Sequence, residues 1–163
     1  MRPTARVLTL LCFAAAAGSA LAGTVNVSFV DSARFADAGA TAADREATLR
    51  ALSQHLQALG GRVLPADQVM TIDVLDVDLA GAVKPLHRRA GTELRIAKGM
   101  ADWPSIKLRY SLESNGKVLK SGEESVADMD YMHRTNRYGD ADPLHHEKQM
   151  LDDWFKTRFG HAD

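Results

Sequence analysis

The stretch LHHEKQMLDDWF, Leu144 to Phe155, admits two readings: a cluster of metal- or proton-handling groups, or a helix laid on a sheet. Continued through KTRF, it wraps at about 100° per residue. Leu151, Phe155 and Phe159 then fall within roughly 60° of Leu144, with Trp154 about 80° to one side. That is an apolar stripe for a sheet. His145 and His146 fall at roughly 100° and 200° from Leu144, on the outer side and diverging. Adjacent helical histidines cannot readily grip one ion, since ligand pairs on a helix need a spacing of three or four. They read as a solvated face, and no metal site or cofactor is expected.

Two charges on this helix point the other way. Glu147 lies between Trp154 and Leu151, and Lys148 between Phe155 and Phe159, so both face the sheet. Lys148 can snorkel, its stem on Phe159 and its ammonium in water near Asp152. Glu147 is too short for that. A charge held against a core needs a partner, so an ion pair is expected with Arg95 or Arg109 on the sheet, or with Arg45 on the first helix. The functional alternative makes Glu147 a proton-transferring carboxylate with a raised pKa in a pocket. No matched nucleophile or ligand set accompanies it.

Before the helix runs a long polar connection, Asp128 to Asp142, with Asp128, Tyr131, His133, Arg134, Arg137 and Tyr138. Connections of this length inside a domain are often functional, and Tyr and Arg are useful for gripping a partner. The other reading is a solvated loop whose tyrosines cover a core edge. Asp142 suits the helix N-cap and Pro143 its first position.

Further upstream the pattern turns to strands. SIKLRYSLES alternates Ile106, Leu108, Tyr110 and Leu112 with Lys107, Arg109 and Ser111, and Asn115-Gly116 supplies a hairpin turn into KVLKSGEESVADM. QVMTIDVLDVDLAG and TELRIA read as two more strands, separated by the basic loop AVKPLHRRAG. VNVSFV is a half-buried strand near the start. Between lies an amphipathic helix, TAADREATLRALSQHLQALGG. Thr41 and Asp44 form its capping box, Leu49, Leu52, Leu56 and Leu59 its inner face, and Gly60-Gly61 its left-handed stop. The order β-α-β-β-β-β-α predicts an α+β two-layer sandwich, a mostly antiparallel sheet with both helices on one face, in one domain over residues 23–163.

The N-terminus carries Arg2 and Arg6, an apolar run from Val7 to Ala17, and Ala20-Leu21-Ala22. This is a secretory signal peptide over residues 1–22, with cleavage expected after Ala22. It removes Cys12, the only cysteine, so the exported chain has no thiol and no disulfide and depends on its core. Without the two arginines the basic count falls from 20 to 18 against 21 acids, a formal −3. That gives no support for nucleic-acid binding or attraction to anionic lipid, and no membrane insertion is expected.

Asp76-Val77-Asp78 with Gly81 imitates the start of a calcium loop, but Ala80 takes the third ligand position and His87 stands where the closing Glu belongs. Ser114-Asn115-Gly116-Lys117 is formally S-x-x-K, yet a hairpin turn splits it. The common hydrolase, zincin and phosphate-loop signatures are missing.

Taken in order after a signal peptide, DVDLAG at 76–81, SIKLRYSL, GEESVADMDY at 122–131 and EKQMLDDWF at 147–155 resemble the bacterial domain-of-unknown-function 3016 family. The resemblance implies an exported protein of Gram-negative bacteria and carries over no catalytic residue. It is borne by Asp78, Leu79, Ala80, Gly81, Asp128, Tyr131, Glu147, Lys148 and Trp154. The expectation is a periplasmic accessory or binding protein, non-enzymatic, that contacts an envelope partner through residues 128–142. The alternative is a metal- or small-ligand-binding enzyme using Glu147, Asp76, Asp78 and a basic residue such as Arg95.

Overall fold

Four strands with apolar residues on one face form the main sheet, in the spatial order β1-β2-β5-β6. The structure, a computed structural model, describes residues 22–85, 93–97 and 101–160. The expected signal segment lies outside them but for Ala22, as does most of the basic loop after Pro85. The strands are β1 (Thr24–Phe29), β2 (Gln68–Asp78), β5 (Ser105–Ser114) and β6 (Lys117–Ala127). The β2–β5 and β5–β6 pairs are antiparallel, while β1 lies parallel to β2. The connection between β1 and β2 is α1 (Ala42–Val63), and α2 (His145–Phe159) closes the chain. Ala82–Pro85, read as the start of a loop, is a short strand β3 paired with β4 (Glu93–Ile96) in a separate two-stranded ribbon. The α+β architecture is as expected, with that one strand added.

The period-two pattern sets the register. Met70, Ile72, Val74 and Val77 of β2 and Ile106, Leu108, Tyr110 and Leu112 of β5 are buried under the helices with Leu52, Leu56, Leu151, Trp154 and Phe155. The step from Val74 to Val77 breaks strict alternation because Leu75 is bulged out of the β2–β5 ladder. The opposite face is polar, with Thr71, Asp73, Lys107, Arg109 and Glu123. Asn115 and Gly116 both take positive φ, 52° and 77°, as a two-residue hairpin turn with the sheet's twist requires.

Both helix ends differ from expectation in instructive ways. The Thr41–Asp44 capping box is present, but Gly60-Gly61 does not stop α1, which continues to Val63. A Cβ at Gly60 would lie 2.0 Å from Val25 Cγ2. The glycine is there so that helix and strand can touch, at the usual helical cost of about 1 kcal/mol relative to alanine. At α2, Asp142 does not cap the helix itself. Its carboxylate accepts from the Leu144 amide and its carbonyl from the His145 amide, making a turn that contains Pro143, and the helix starts two residues later.

Candidate functional site

DVDLAG marks the point where the main sheet ends and the chain departs for the β3–β4 ribbon, and three groups hold that turn. Glu147, only 2% exposed, accepts a 2.7 Å hydrogen bond from the Ala80 amide. Arg95 donates through Nη1 to the carbonyls of Leu79, Ala80 and Gly81 at 3.4, 3.2 and 2.9 Å. Its Nη2 bonds both oxygens of Asp37 at 3.0 and 2.9 Å. The Asp37 backbone completes the frame, its amide donating to Val77 and its carbonyl accepting from Leu79. Gly81 sits at φ +76°, and a Cβ there would meet the Ile96 carbonyl oxygen at 2.8 Å, so the turn also needs glycine.

The expected ion pair of Glu147 is therefore absent among the described residues. Its acceptor role is filled by a backbone N–H, Arg95 acts on it only through space, and Arg109 lies on the opposite face with Glu123. Burial raises the Glu147 pKa, and the Ala80 bond and the Arg95 charge only partly oppose that. Asp76 is likewise engaged, its Oδ1 accepting from the Ala36 and Val77 amides. Asp78 is exposed and its pKa is raised by burial of its surroundings and by Asp37 and Asp76, with Arg95 opposing. Among the described residues no group of three or more His, Cys, Asp or Glu is placed to hold a metal ion. Neither the groove on the polar sheet face nor the one between β6 and α2 is lined by Glu147, Asp76 or Asp78.

The 128–142 loop adjoins this turn and is fastened at nearly every step. The Gly81 amide donates to the Asp102 carbonyl, and the buried Tyr131 donates its hydroxyl to Asp102 Oδ1 at 2.9 Å. Asp128, also buried, accepts from the Asp130 amide and from Arg134 at 3.0 Å, and Arg134 reaches on to Asp153. Arg137 bonds Asp153 at 2.8 Å, while its amide donates to Gln149 Oε1 at 2.7 Å. Gln149 returns a bond to the Thr135 carbonyl. His133 stays in solvent, beside Asp130. Lys148 reaches Asp142 rather than the expected Asp152.

Asp152 is bonded by two other groups, with Arg137 Nη2 3.5 Å from its Oδ2 as well. Its Oδ2 accepts from the Tyr138 hydroxyl and its Oδ1 from His55 Nε2, each at 2.8 Å. His55 Nε2 also lies 3.2 Å from the Lys148 carbonyl. Both partners are acceptors, so Nε2 carries the proton. Burial lowers the His55 pKa below its ordinary 6.5 despite the carboxylate beside it, and Tyr138 is pushed up to about 12, chiefly by burial. The lowered histidine has a consequence. The unfolded chain takes up a proton at higher pH than the folded one, so stability falls as pH drops through 6.5. Urea midpoints between neutrality and the carboxylate range are expected to show that slope, and His55→Gln to flatten it.

His145 and His146, read as solvated, are half-buried under the loop, His146 edge-on to Tyr131 with ring centroids 4.6 Å apart. Burial, then the neighbouring His145, lowers its pKa. Gln149, Asp37, Asp102 and His55 carry no motif that points to this region, and Asp152 was expected beside Lys148 rather than beside His55 and Tyr138.

A model of the family described as Protein of unknown function (DUF3016) matches residues 23–157. The chain belongs to that family. No curated protein and no solved structure gave a match. The DUF3016 match spans the turn, the loop and nearly all of α2, so the whole bonded region lies within the family's span. Among the described residues no helix is long and apolar enough to cross a membrane.

Proposed function

We propose that the protein is an exported, non-enzymatic accessory protein of the Gram-negative periplasm, which holds an envelope protein on the surface of its 128–142 loop. One observation carries this reading. Asp128, Tyr131, Arg134 and Tyr138 are spent on fixing the loop, while Met129 and Met132 are 70% and 47% exposed between those anchors. A surface ordered in advance avoids the entropy of ordering on binding, and methionine adapts to a partner's apolar relief. His133 and Arg137 are exposed beside them. Export is supported by the paired arginines, apolar run and Ala20-Leu21-Ala22 at the N-terminus.

The enzyme reading has one favourable observation, the raised pKa values of Glu147 and Asp78. Against it weighs the bond that Glu147 already makes to a backbone amide in a closed setting.

The test uses a photo-crosslinking residue in place of Met129 or Met132 in cells, with the same residue at Ser111 on the polar sheet face as control. A discrete adduct from 129 and 132 but not from 111 is expected, in the periplasmic fraction, with a processed chain beginning at Gly23. Equal adducts from 111, or none from the loop, would overturn the binding role.

A further inference from the structure

β6 is an edge strand of 11 residues, about twice the usual strand length of roughly 5–6, and among the described residues nothing pairs with its outer side. A long unpaired edge invites another strand unless its side chains prevent it. Here the charges do not prevent self-pairing; they favour it. The first half carries Lys117 and Lys120 and the second half Glu123 and Glu124. We propose that β6 pairs antiparallel with β6 of a second copy, about a two-fold axis at Gly122, joining the two main sheets into one.

The register follows from charge and pleat. Directly opposed residues lie on the same face of a sheet, so a two-fold axis normal to it passes through a residue. An axis at Gly122 sets Lys120 opposite Glu124 of the second copy, twice. Axes at Lys120, Glu123 or Glu124 oppose like charges, and one at Ser121 leaves Lys120 facing glycine. Opposite-charge pairs directly across strands stabilise and like pairs destabilise. The regular ladder runs from Lys120 onward, since Leu119 is bulged from the β5–β6 pairing.

The geometry leaves room for this. A groove of about 390 Å³ runs beside the strand, past Glu124, Asp128, Trp154 and Arg158. Glu124 already accepts from Tyr110, Trp154 and Arg158, which holds the carboxylate in place with acceptor capacity remaining. Lys120 is exposed and would exchange its bond to the Arg158 carbonyl for that carboxylate.

Sedimentation of the purified protein over a wide concentration range is expected to show a monomer–dimer equilibrium, weakened about tenfold or more by Lys120→Glu, which sets like charges opposite each other twice. In a Cys12→Ser background, Ser121→Cys with Glu123→Cys places facing thiols across the axis and is expected to oxidise to a covalent dimer. Ser121→Cys with Ser125→Cys is out of register and is not. A monomer at every concentration would overturn the proposal, leaving the edge open or for a strand of another protein. Equal crosslinking by both cysteine pairs would overturn it as well.

Discussion

Replacing Glu147 with alanine is expected to destabilise the domain by about 2–3 kcal/mol, because the buried Ala80 amide loses its acceptor and a void opens beside Leu151 and Trp154. Glu147→Gln keeps an oxygen at the same place and should cost far less. Denaturant midpoints of the two variants separate a hydrogen-bonding role from a charge role. A glutamine variant as damaged as the alanine one would show that the negative charge itself matters. The pH dependence gives a second handle. Burial raises the Glu147 pKa in the folded state, so the folded protein binds this proton more readily than the unfolded chain. The group therefore adds stability as pH falls through its folded value, the reverse of an ion-paired carboxylate. Glu147→Gln should remove that acid-side gain.

Arg95→Ala is expected to cost about 2 kcal/mol, since it strips three carbonyls and one carboxylate of a charged donor at a partly exposed site. Lysine should recover only part, because a single ammonium cannot serve the carbonyls and Asp37 together as the guanidinium fork does. The loss should also depend on pH. Arg95 offsets the crowding of Asp37, Asp76 and Asp78, and the Asp78 pKa is already raised. Without Arg95 that crowding is greatest at neutral pH and is relieved when Asp78 takes up a proton. The deficit against wild type should shrink as pH falls into the upper carboxylate range. A deficit that is constant or grows toward acid would contradict this electrostatic role.

The sheet and both helices were legible because each buries one regular stripe, and alternation in SIKLRYSLES or the leucine spacing of α1 says which. Gly60 misled because a glycine near a helix end reads the same whether it turns the chain or admits Val25. The larger misreading came from treating α2 as packed on one side. Leu151, Phe155 and Glu147 face the sheet as the wheel predicted. His146 and Gln149 project from the other side, where the 128–142 loop covers them. A helical wheel contains no information about a covering loop. The polarity of that second contact also hid it, since Gln149 and Asp152 are buried or half-buried by hydrogen bonding rather than by apolar packing. Glu147 was legible as inward-facing but not in its partner. A carboxylate facing a core suggests arginine by composition, whereas backbone N–H groups are invisible to composition and a turn such as DVDLAG offers one at the right place.

The DVDLAG turn and the 128–142 loop are fixed in advance by buried polar groups. Residue-resolved hydrogen exchange of the Ala80 and Arg137 amides tests this most directly, since one donates to Glu147 and the other to Gln149. Both should exchange slowly, with Ala80 losing its protection in Glu147→Ala and keeping it in Glu147→Gln. Exchange at either amide as fast as in an open surface loop would contradict a turn and loop held in advance.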